Sequence, residues 1–569
     1  MSNFDFLNRR EFLSKSFKTG AAVALSTLVD IPFVMKRALA DGTIGLNGKK
    51  LLFIWLRFGN DSLNSVIPVQ DPQYYLNRPD IGIQKDTGTD YTLPGGADFP
   101  SAGSVQNTYF YDKAIRLGNG FAALHPSLKF LSPVYNAGDL AIIHRVAYPK
   151  QSRSHFDSQN YWENGSPNKN LIKDGIFYRT ILESGLAHTS PLTGVSIQSA
   201  LPLLLKGSQA AMTNLSDPTR YDLLGVPTPA GDLKAGSAIN AANAYPFSAK
   251  QNRDMLQLQY ENMSKTLKIF SEMDFSEDPG PQGSGKYGNY YRDNEITDGD
   301  QDWVAYNSSN PNGLDANRGY YLFPTTNNKN GGFLRGLNTT NANRYVVPTG
   351  HYGFFKNLKA AAMVLNKTDA VIAGTEIGGF DTHQNQGGAT GSHANLQRSI
   401  GWAIYALRKY FSSYAEKVNW DNVVVVTFSE FGRTSVENSD NGTDHAEAGA
   451  MFVAGGGIKG YGAGNSTGVF GCSLNDPVPW LPGPRTSNLA TCGTMFAANT
   501  SVAAGYLRRS SDYRSILGEI IRKHLGATQG QLDRIIPGYV ETSTVQERLL
   551  TGGVSTIDGV QIRGELGLL

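Results

Sequence analysis

Cysteine, charged residues and long apolar runs are all scarce in this sequence. Two of the 569 residues are cysteines, 18% are charged, and the net charge at pH 7 is +2. Because no basic patch with interleaved aromatic residues occurs, the sequence does not indicate a nucleic-acid partner. Glycine is abundant, with 63 residues, and aromatic residues make up 11%. This composition predicts a globular protein rich in loops rather than a disordered one.

The two cysteines, Cys472 and Cys492, allow at most one disulfide. In an oxidising compartment we expect them to close a loop of about twenty residues, which would stabilise the fold by ~3 kcal/mol in the loop-entropy model. Two free, buried thiols are the alternative.

The first forty residues have the features of an export signal. The sequence NRREFL at residues 8–13 contains a paired arginine, an apolar segment follows at residues 21–29, and the small-x-small sequence ALA ends at Ala40. This order is typical of a twin-arginine signal peptide, so we expect residues 1–40 to be removed and the protein to be periplasmic or secreted. The apolar segment stops at Asp30, which leaves it too short for a stable membrane span. An amphipathic helix of the mature protein is the alternative.

Four apolar runs are typical of buried strands in a parallel sheet. They begin near Lys49, Leu140, Ala370 and Val423, and the last is a run of four valines. Between the third and the fourth, residues 395–414 carry apolar side chains at helical spacing, as expected for the crossover helix of a β-α-β unit. The sequence therefore predicts a doubly wound, mostly parallel α/β sheet with helices on both faces.

We expect residues 41–526 to form one α/β domain. Within it, residues 276–349 are crowded with Asn, Gly, Asp and Tyr and contain few aliphatic side chains, which indicates an insertion lying over the sheet. This insertion is either a flexible surface loop or part of a substrate-facing lid. Residues 527–569 are expected to be a loosely packed C-terminal tail.

Polar side chains follow each of the four predicted strands. Open α/β sheets bind their ligands beyond the carboxyl ends of the strands, so these side chains are expected to form one composite site. For any single strand, the alternative is an end that carries solvated charges. The residues are Asn60 and Asp61 after the first strand, Ser154 and His155 after the second, Asp381 and His383 after the third, and Glu430, Arg433, Asp444 and His445 after the fourth.

Six of these residues are candidate metal ligands. Carboxylates and imidazoles without thiolates suit Zn²⁺, Mn²⁺ or Mg²⁺, and so many groups exceed the need of one tetrahedral ion. Two ions would clamp the attacking and leaving oxygens of a displacement at phosphorus or sulfur. The candidates are Asp61, Asp381, His383, Glu430, Asp444 and His445.

Ser154 and Arg433 are the candidate catalytic residues. Ser154 opens a predicted helix, where its hydroxyl is either an N-cap or a nucleophile beside a bound anion. Arg433 is expected to bind a substrate oxyanion through two hydrogen bonds. Asn60 and His155 are expected to contact the substrate.

Five motifs resemble the exported bacterial family known as domain of unknown function 1501. They are LRFGNDSLNSVIP, SRSHFDSQNYWENG, GGFDTHQ, VVVVTFSEFGRT and GTDHAEAGAMFVAGG. That family is similar to the alkaline phosphatase and sulfatase superfamily, whose members share a doubly wound sheet and a two-metal site. The resemblance implies a nucleophilic role for Ser154 and metal-ligand roles for Asp61, Asp381, His383, Glu430 and His445.

The sequence also departs from the superfamily pattern. Phe431 stands where the superfamily has a second metal histidine, and Asp381 and His383 are closer in sequence than the usual pair. Residues 151–158, QSRSHFDS, do not have the arrangement of sulfatases, a Cys or Ser with a following Pro and Arg, which favours phosphoester hydrolysis over sulfatase chemistry. We therefore expect one ion, zinc by its ligands, on the histidine side, alone or with a weaker Mg²⁺, Mn²⁺ or Ca²⁺ beside Ser154.

The expected function is that of an exported metal-dependent hydrolase of phosphate esters or related oxyanion esters. Its substrate would be a small-molecule or glycan-linked anionic ester. The alternative is a catalytically degenerate member of the same fold that binds an envelope glycan or a protein.

Overall fold

The computed structural model describes residues 44–85, 113–186, 192–210, 212–218, 266–276, 321–330, 346–482, 496–497, 505–537, 553–557 and 560–569. The predicted signal peptide, residues 1–40, lies outside these ranges, as do Cys492 and most of the predicted insertion 276–349. Within the described part, Cys472 is a buried free thiol.

The described residues include sixteen strands and nine α-helices, and residues 266–271 are also helical. The strands are β1 (Lys50–Leu56), β2 (Val66–Ile67), β3 (Ile115–Arg116), β4 (Ala123–Leu124), β5 (Leu140–Ala147), β6 (Gly194–Ile197), β7 (Thr213–Leu215), β8 (Ile372–Ile377), β9 (Val423–Phe428), β10 (Gly449–Ala454), β11 (Val469–Phe470), β12 (Phe496–Ala497), β13 (Tyr506–Leu507), β14 (Ser511–Asp512), β15 (Val554–Ile557) and β16 (Val560–Arg563). The helices are α1 (Ser62–Ser65), α2 (Pro72–Asn77), α3 (Leu131–Asn136), α4 (His155–Asn164), α5 (Ile176–Glu183), α6 (Tyr352–Lys367), α7 (Ser392–Ser413), α8 (Tyr513–Glu519) and α9 (Gln529–Ile535), and a π-helical turn, Ile520–His524, continues α8.

The four predicted strands are confirmed as β1, β5, β8 and β9, and they lie in one large sheet. The order in that sheet is β15-β16-β14-β5-β10-β9-β1-β8-β6-β7, with β11 paired to β5. Strand β1 is parallel to β8 on one side and to β9 on the other. Strand β10 is antiparallel to both of its neighbours, β5 and β9. The chain is therefore a mixed α/β protein with a large, mostly parallel central sheet.

Both faces of the sheet are covered, as expected for strands without a polar side. Along β1 the side chains alternate between two hydrophobic clusters, because successive residues of a strand point to opposite faces. One cluster contains residues of α6 and α7, and the other contains residues of α4, α5 and α8. Leu52, Ile54 and Leu56 belong to the first cluster, and Leu51, Phe53 and Trp55 to the second.

The predicted crossover helix is confirmed as α7. Its predicted apolar positions Ile400, Ile404, Leu407 and Phe411 are all fully buried. Helix α7 connects β8 to β9, which lie on either side of β1, so the connection passes over β1. The carboxyl ends of these three parallel strands therefore meet at one edge of the sheet, and the loops that follow them carry the candidate site.

Part of the segment predicted to be a tail packs on the core. Strand β16 pairs with β14 at the edge of the main sheet. Leu568 is fully buried, and Glu519 of α8 accepts hydrogen bonds from the backbone N–H groups of Leu566 and Gly567. These buried contacts attach the end of the chain to the α/β domain.

In the ranges that the structure describes, no helix is both long enough and apolar enough to cross a membrane.

His144 on β5 makes stability sensitive to acid. Its ring is fully buried, its Nε2 lies 3.0 Å from the carbonyl oxygen of Val66, and its Nδ1 accepts a hydrogen bond from the N–H of Arg145. Burial, reinforced by the charge of Arg145, lowers the pKa of His144 to about 3. The folded protein therefore holds this imidazole neutral.

We expect the free energy of unfolding to fall as the pH drops below about 6.5, the ordinary histidine pKa, because only the unfolded chain then binds a proton at His144. The contribution is complete above that pH and is lost progressively towards the folded-state pKa, by at most ~1.4 kcal/mol per pH unit. Urea unfolding of the parent and of His144→Gln at a neutral and a mildly acidic pH measures it. An equal pH dependence in the two proteins would contradict the prediction.

Candidate metal centre

Two loops and one helix start bring together an aspartate and three histidines. Asp381 and His383 lie in the loop after β8, and His445 lies in the loop that connects β9 to β10. An isolated β-bridge between Arg433 and His445 folds that second loop back on itself. His155 is the first residue of α4, which follows β5.

The three imidazoles converge on one carboxylate oxygen. Asp381 Oδ1 lies 3.0 Å from His383 Nε2, 3.1 Å from His445 Nε2 and 3.6 Å from His155 Nε2. The Nε2 atoms of His383 and His445 are themselves 3.1 Å apart. Ligand atoms of His155, Asp381 and His445 thus all lie within 4.8 Å of one another, and His383 Nε2 lies beside Asp381 at the edge of this group.

The other nitrogen of each ring contacts a group that can only accept a hydrogen bond. The Nδ1 atom lies 2.8 Å from Glu430 Oε1 in His155 and 2.9 Å from Asp444 Oδ1 in His383. In His445 it lies 3.0 Å from the carbonyl oxygen of Arg153. Each Nδ1 must therefore carry the proton, and in a neutral ring this leaves a lone pair on Nε2.

The charges of the site favour lone pairs on the inner atoms. Burial and the nearby positive charge of Arg433 lower the pKa of His445. Burial acts to raise the pKa of Asp381, but its charged and hydrogen-bonding neighbours, Arg433 first among them, outweigh burial and lower this pKa to about 2. When the rings are neutral and carry their protons on Nδ1, the Nε2 atoms and Asp381 Oδ1 face one another as acceptors, and a bound cation would relieve this repulsion.

This donor set fits a divalent metal ion. Zinc bonds of about 2.0–2.1 Å in a tetrahedral site place neighbouring ligand atoms about 3.3 Å apart, close to the spacings around Asp381 Oδ1. Histidine nitrogens with one carboxylate suit zinc better than magnesium or calcium, which prefer oxygen ligands. The acceptors at Nδ1 fix the orientation of each ring, as acceptors behind metal-binding histidines do. His155, Asp381 and His445 meet the geometric requirements for a metal-binding group, with His383 beside them.

Arg433 holds Asp381 in place from the interior of the protein. Its side chain is fully buried, and Nη2 donates to Asp381 Oδ1 at 2.6 Å. Nε and Nη1 donate to the carbonyl oxygens of Gly59 and Thr443, and Nη2 also donates to those of Phe58 and Phe380. The guanidinium predicted to bind a substrate oxyanion is therefore placed to hold Asp381 and the surrounding loops.

Phe431 packs against the imidazoles from the interior. Its ring centroid lies 4.8 Å from that of His155 and 4.8 Å from that of His445. The residue that stands in place of a second metal histidine thus forms the apolar wall behind two of the ligands. Gly59 lies close to this wall, because a Cβ atom added there would approach the Phe431 ring to 2.5 Å.

Residues 334–475 match the family model described as "Protein of unknown function (DUF1501)". The match confirms the predicted resemblance to this family over that segment, which carries every predicted site residue after Ala370. No curated protein and no solved structure matches the chain.

Two predicted ligands lie behind the histidines. Asp444 contacts His383 Nδ1, and Glu430 contacts His155 Nδ1. Glu430 is fully buried, and its Oε1 also accepts hydrogen bonds from the N–H of Phe58 and from Gln159 Nε2. Both carboxylates are therefore placed to orient imidazoles rather than to contact the ion directly.

Asp61 and Asn60 are separated from the centre by their own buried partners. Asp61 is fully buried and accepts two hydrogen bonds from Arg78, at 2.6 and 3.0 Å, and one from Gln386. Asn60 Oδ1 accepts from Gln397 and lies 3.1 Å from His393 Nε2. The structure thus places both residues in a buried polar network next to the site.

Ser154 is exposed and caps α4. Its Oγ accepts a long hydrogen bond, 3.4 Å, from the N–H of Asp157. It directly precedes His155, so the hydroxyl lies next to the metal-ligand cluster in sequence. The N-cap alternative describes its geometry, and this weak contact also leaves room for a role with a bound anion.

Sequence reasoning assigned His155 to the substrate and not to the metal. His155 follows a buried strand, as the other histidines of the site do, and this position could have indicated a metal ligand. However, no potential ligand lies near His155 in the sequence at metal-binding spacing, since Asp381 and His445 are more than two hundred residues away.

Proposed function

We propose that the protein is an exported metal-dependent hydrolase of phosphate esters or related oxyanion esters, built on an alkaline phosphatase-like sheet. The observation that carries the proposal is the convergence of three imidazole Nε2 atoms on Asp381 Oδ1, each ring oriented by an acceptor at Nδ1. Phosphate and related esters are the substrates that a Lewis-acidic centre at a sheet edge serves best.

Each residue has a distinct part in this proposal. His155, His383, His445 and Asp381 hold a single divalent ion, with zinc the best match. When bound, that ion supplies positive charge to polarise the ester and stabilise the charge that develops on its oxygens. Arg433 keeps Asp381 ionised and oriented.

Ser154 is the proposed nucleophile. It stands at the N-terminus of the ten-residue helix α4, where unpaired N–H groups and the helix dipole favour an anionic substrate. Its attack on phosphorus would break the P–O bond to the alcohol, which leaves with the proton that the serine hydroxyl gives up, and would form a phosphoserine ester. Water would then cleave the new P–O bond, release phosphate and restore the serine hydroxyl.

One ion rather than two is the favoured arrangement. The second site anticipated for Mg²⁺, Mn²⁺ or Ca²⁺ needed Asp61 and Glu430 as ligands. Both carboxylates are fully buried and bonded elsewhere, to Arg78 and to His155 respectively. Export by the twin-arginine route to the periplasm or beyond remains part of the proposal and rests on the sequence of residues 1–40.

The proposal predicts near-stoichiometric zinc and metal-dependent turnover in the purified mature protein. Elemental analysis gives the metal content, and p-nitrophenyl phosphate, bis-p-nitrophenyl phosphate and p-nitrophenyl sulfate are the test substrates. We expect turnover of a phosphate ester that chelation abolishes, and a loss of at least about 100-fold in Ser154→Ala, the usual scale for a nucleophile.

His351→Ala is the matched control, because His351 is partly exposed and bonds Ser399 outside the cluster. It should keep full activity. Full activity in Ser154→Ala would refute the nucleophile, and absence of both metal and turnover would refute the enzyme. Bound zinc without turnover of any ester would favour the alternative, a degenerate site that binds a glycan or a protein.

A further inference from the structure

Phe58 has a backbone conformation that local energetics do not favour for phenylalanine. It follows β1 with φ +82°, in the left-handed region that bulky residues rarely adopt. Its side chain is 42% exposed, so the ring gains little from burial. Glycine would fit the backbone better at this position, and the presence of a large ring therefore needs a reason outside the fold.

The residues that orient the metal ligands also fix Phe58. Its N–H donates to Glu430 Oε1, the same oxygen that contacts His155. Its carbonyl oxygen accepts from Arg433 Nη2, the same nitrogen that donates to Asp381. The unfavourable φ is thus maintained by two buried charged residues of the centre.

In this conformation the ring of Phe58 lies beside the candidate metal centre. The centroids of Phe58 and His155 are 5.4 Å apart, with the rings nearly perpendicular. The residue after His155, Phe156, is 82% exposed. The exposed ring of Phe58 therefore borders His155, next to the position where an ester would bind.

We propose that Phe58 is a specificity-determining residue and that the substrate carries a planar aromatic or heteroaromatic group next to the hydrolysed ester. This inference rests on the proposed function. Stacked or edge-to-face aromatic pairs contribute affinity beyond the burial of their area, whereas an alkyl group of the same ester gains no such contact.

The test compares two phosphonates, whose C–P bonds resist hydrolysis, on the zinc-loaded mature protein. We expect phenylphosphonate to bind roughly three- to tenfold more tightly than methylphosphonate, as measured by calorimetry or ligand-observed NMR. Phe58→Gly should abolish the preference and keep or raise the melting temperature, because glycine accepts a positive φ. Phe58→Tyr should keep the preference.

Leu171→Ala is the control for truncating an exposed apolar side chain, since Leu171 is 92% exposed. It should leave both affinities unchanged. Equal binding of the two probes, a preference that survives in Phe58→Gly, or a lower melting temperature of that variant would each overturn the role of Phe58. Equal binding together with normal ester turnover leaves the proposed function standing, whereas absence of binding and of turnover overturns both.

Discussion

Replacement of Asp61 by alanine is expected to destabilise the protein by about 3–5 kcal/mol, because it leaves a buried guanidinium without its counter-charge. The side chains of Asp61 and Arg78 are both fully buried, and two hydrogen bonds join them. Although burial acts to raise the pKa of Asp61, the charge and hydrogen bonds of Arg78 outweigh it and lower the pKa. The carboxylate is therefore ionised and pairs with Arg78 at neutral pH.

Urea unfolding in the presence of a chelator measures the change without a contribution from metal binding. Asp369→Ala is the matched control, because Asp369 pairs with Lys417 through side chains that are 61% and 48% exposed. Such a surface pair contributes about 0–1 kcal/mol. If Asp61→Ala kept its stability and lost bound metal instead, Asp61 would be a ligand, as the sequence alone predicted.

The sheet could be predicted because its strands are short, continuous apolar runs, a pattern that few other structures produce. The runs at residues 50–56 and 423–428 are buried on both faces, so they show no alternation with polar residues. Strand β10 was not predicted. Its sequence, GAMFVA, is short and follows a polar loop, and only its pairing with β5 and β9 identifies it as a strand.

The location of the site could also be predicted, because the carboxyl ends of parallel strands share one edge. The assignment of individual roles could not. A carboxylate that binds a metal and one that orients a histidine are the same chemical group, and a shift of about 3 Å, one hydrogen-bond length, exchanges the roles. Asp381 and Asp444 illustrate this, since both contact His383, one at Nε2 and the other at Nδ1.

Roles were also hard to predict where a site residue pairs with a buried side chain from a segment that has no clear sequence pattern. Arg78 lies at the end of the short helix α2, where nothing in the sequence marks it as the partner of Asp61. Arg433 was expected to contact substrate, but its Nε, Nη1 and Nη2 atoms all donate to carbonyl oxygens or to Asp381 inside the protein. An arginine becomes available to a ligand only if the fold leaves its donors unused, which is a tertiary property.

His383→Ala is expected to lower zinc affinity by more than about 100-fold, whereas Asp444→Ala should lower it by only about 10- to 100-fold. His383 Nε2 lies among the converging ligand atoms, so alanine removes a direct bond to the ion. Asp444 contacts only the far side of that ring, at Nδ1, so alanine leaves the ligand in place but removes the acceptor that orients it. Competition with a fluorescent zinc chelator measures both affinities, and His351→Ala should leave the affinity unchanged.

The relative size of these two losses of zinc affinity shows which of the two residues binds the ion directly. Both side chains are partly exposed, with 40% of His383 and 50% of Asp444 accessible, so neither truncation should unfold the protein. The melting temperature in chelator verifies this, because it excludes the stabilisation that bound metal itself provides. Asp444→Asn should retain more affinity than Asp444→Ala, since its amide oxygen can still accept the hydrogen bond from Nδ1. If Asp444→Ala abolished binding as completely as His383→Ala, Asp444 would bind the ion directly and the orientation of the His383 ring would have to be reversed.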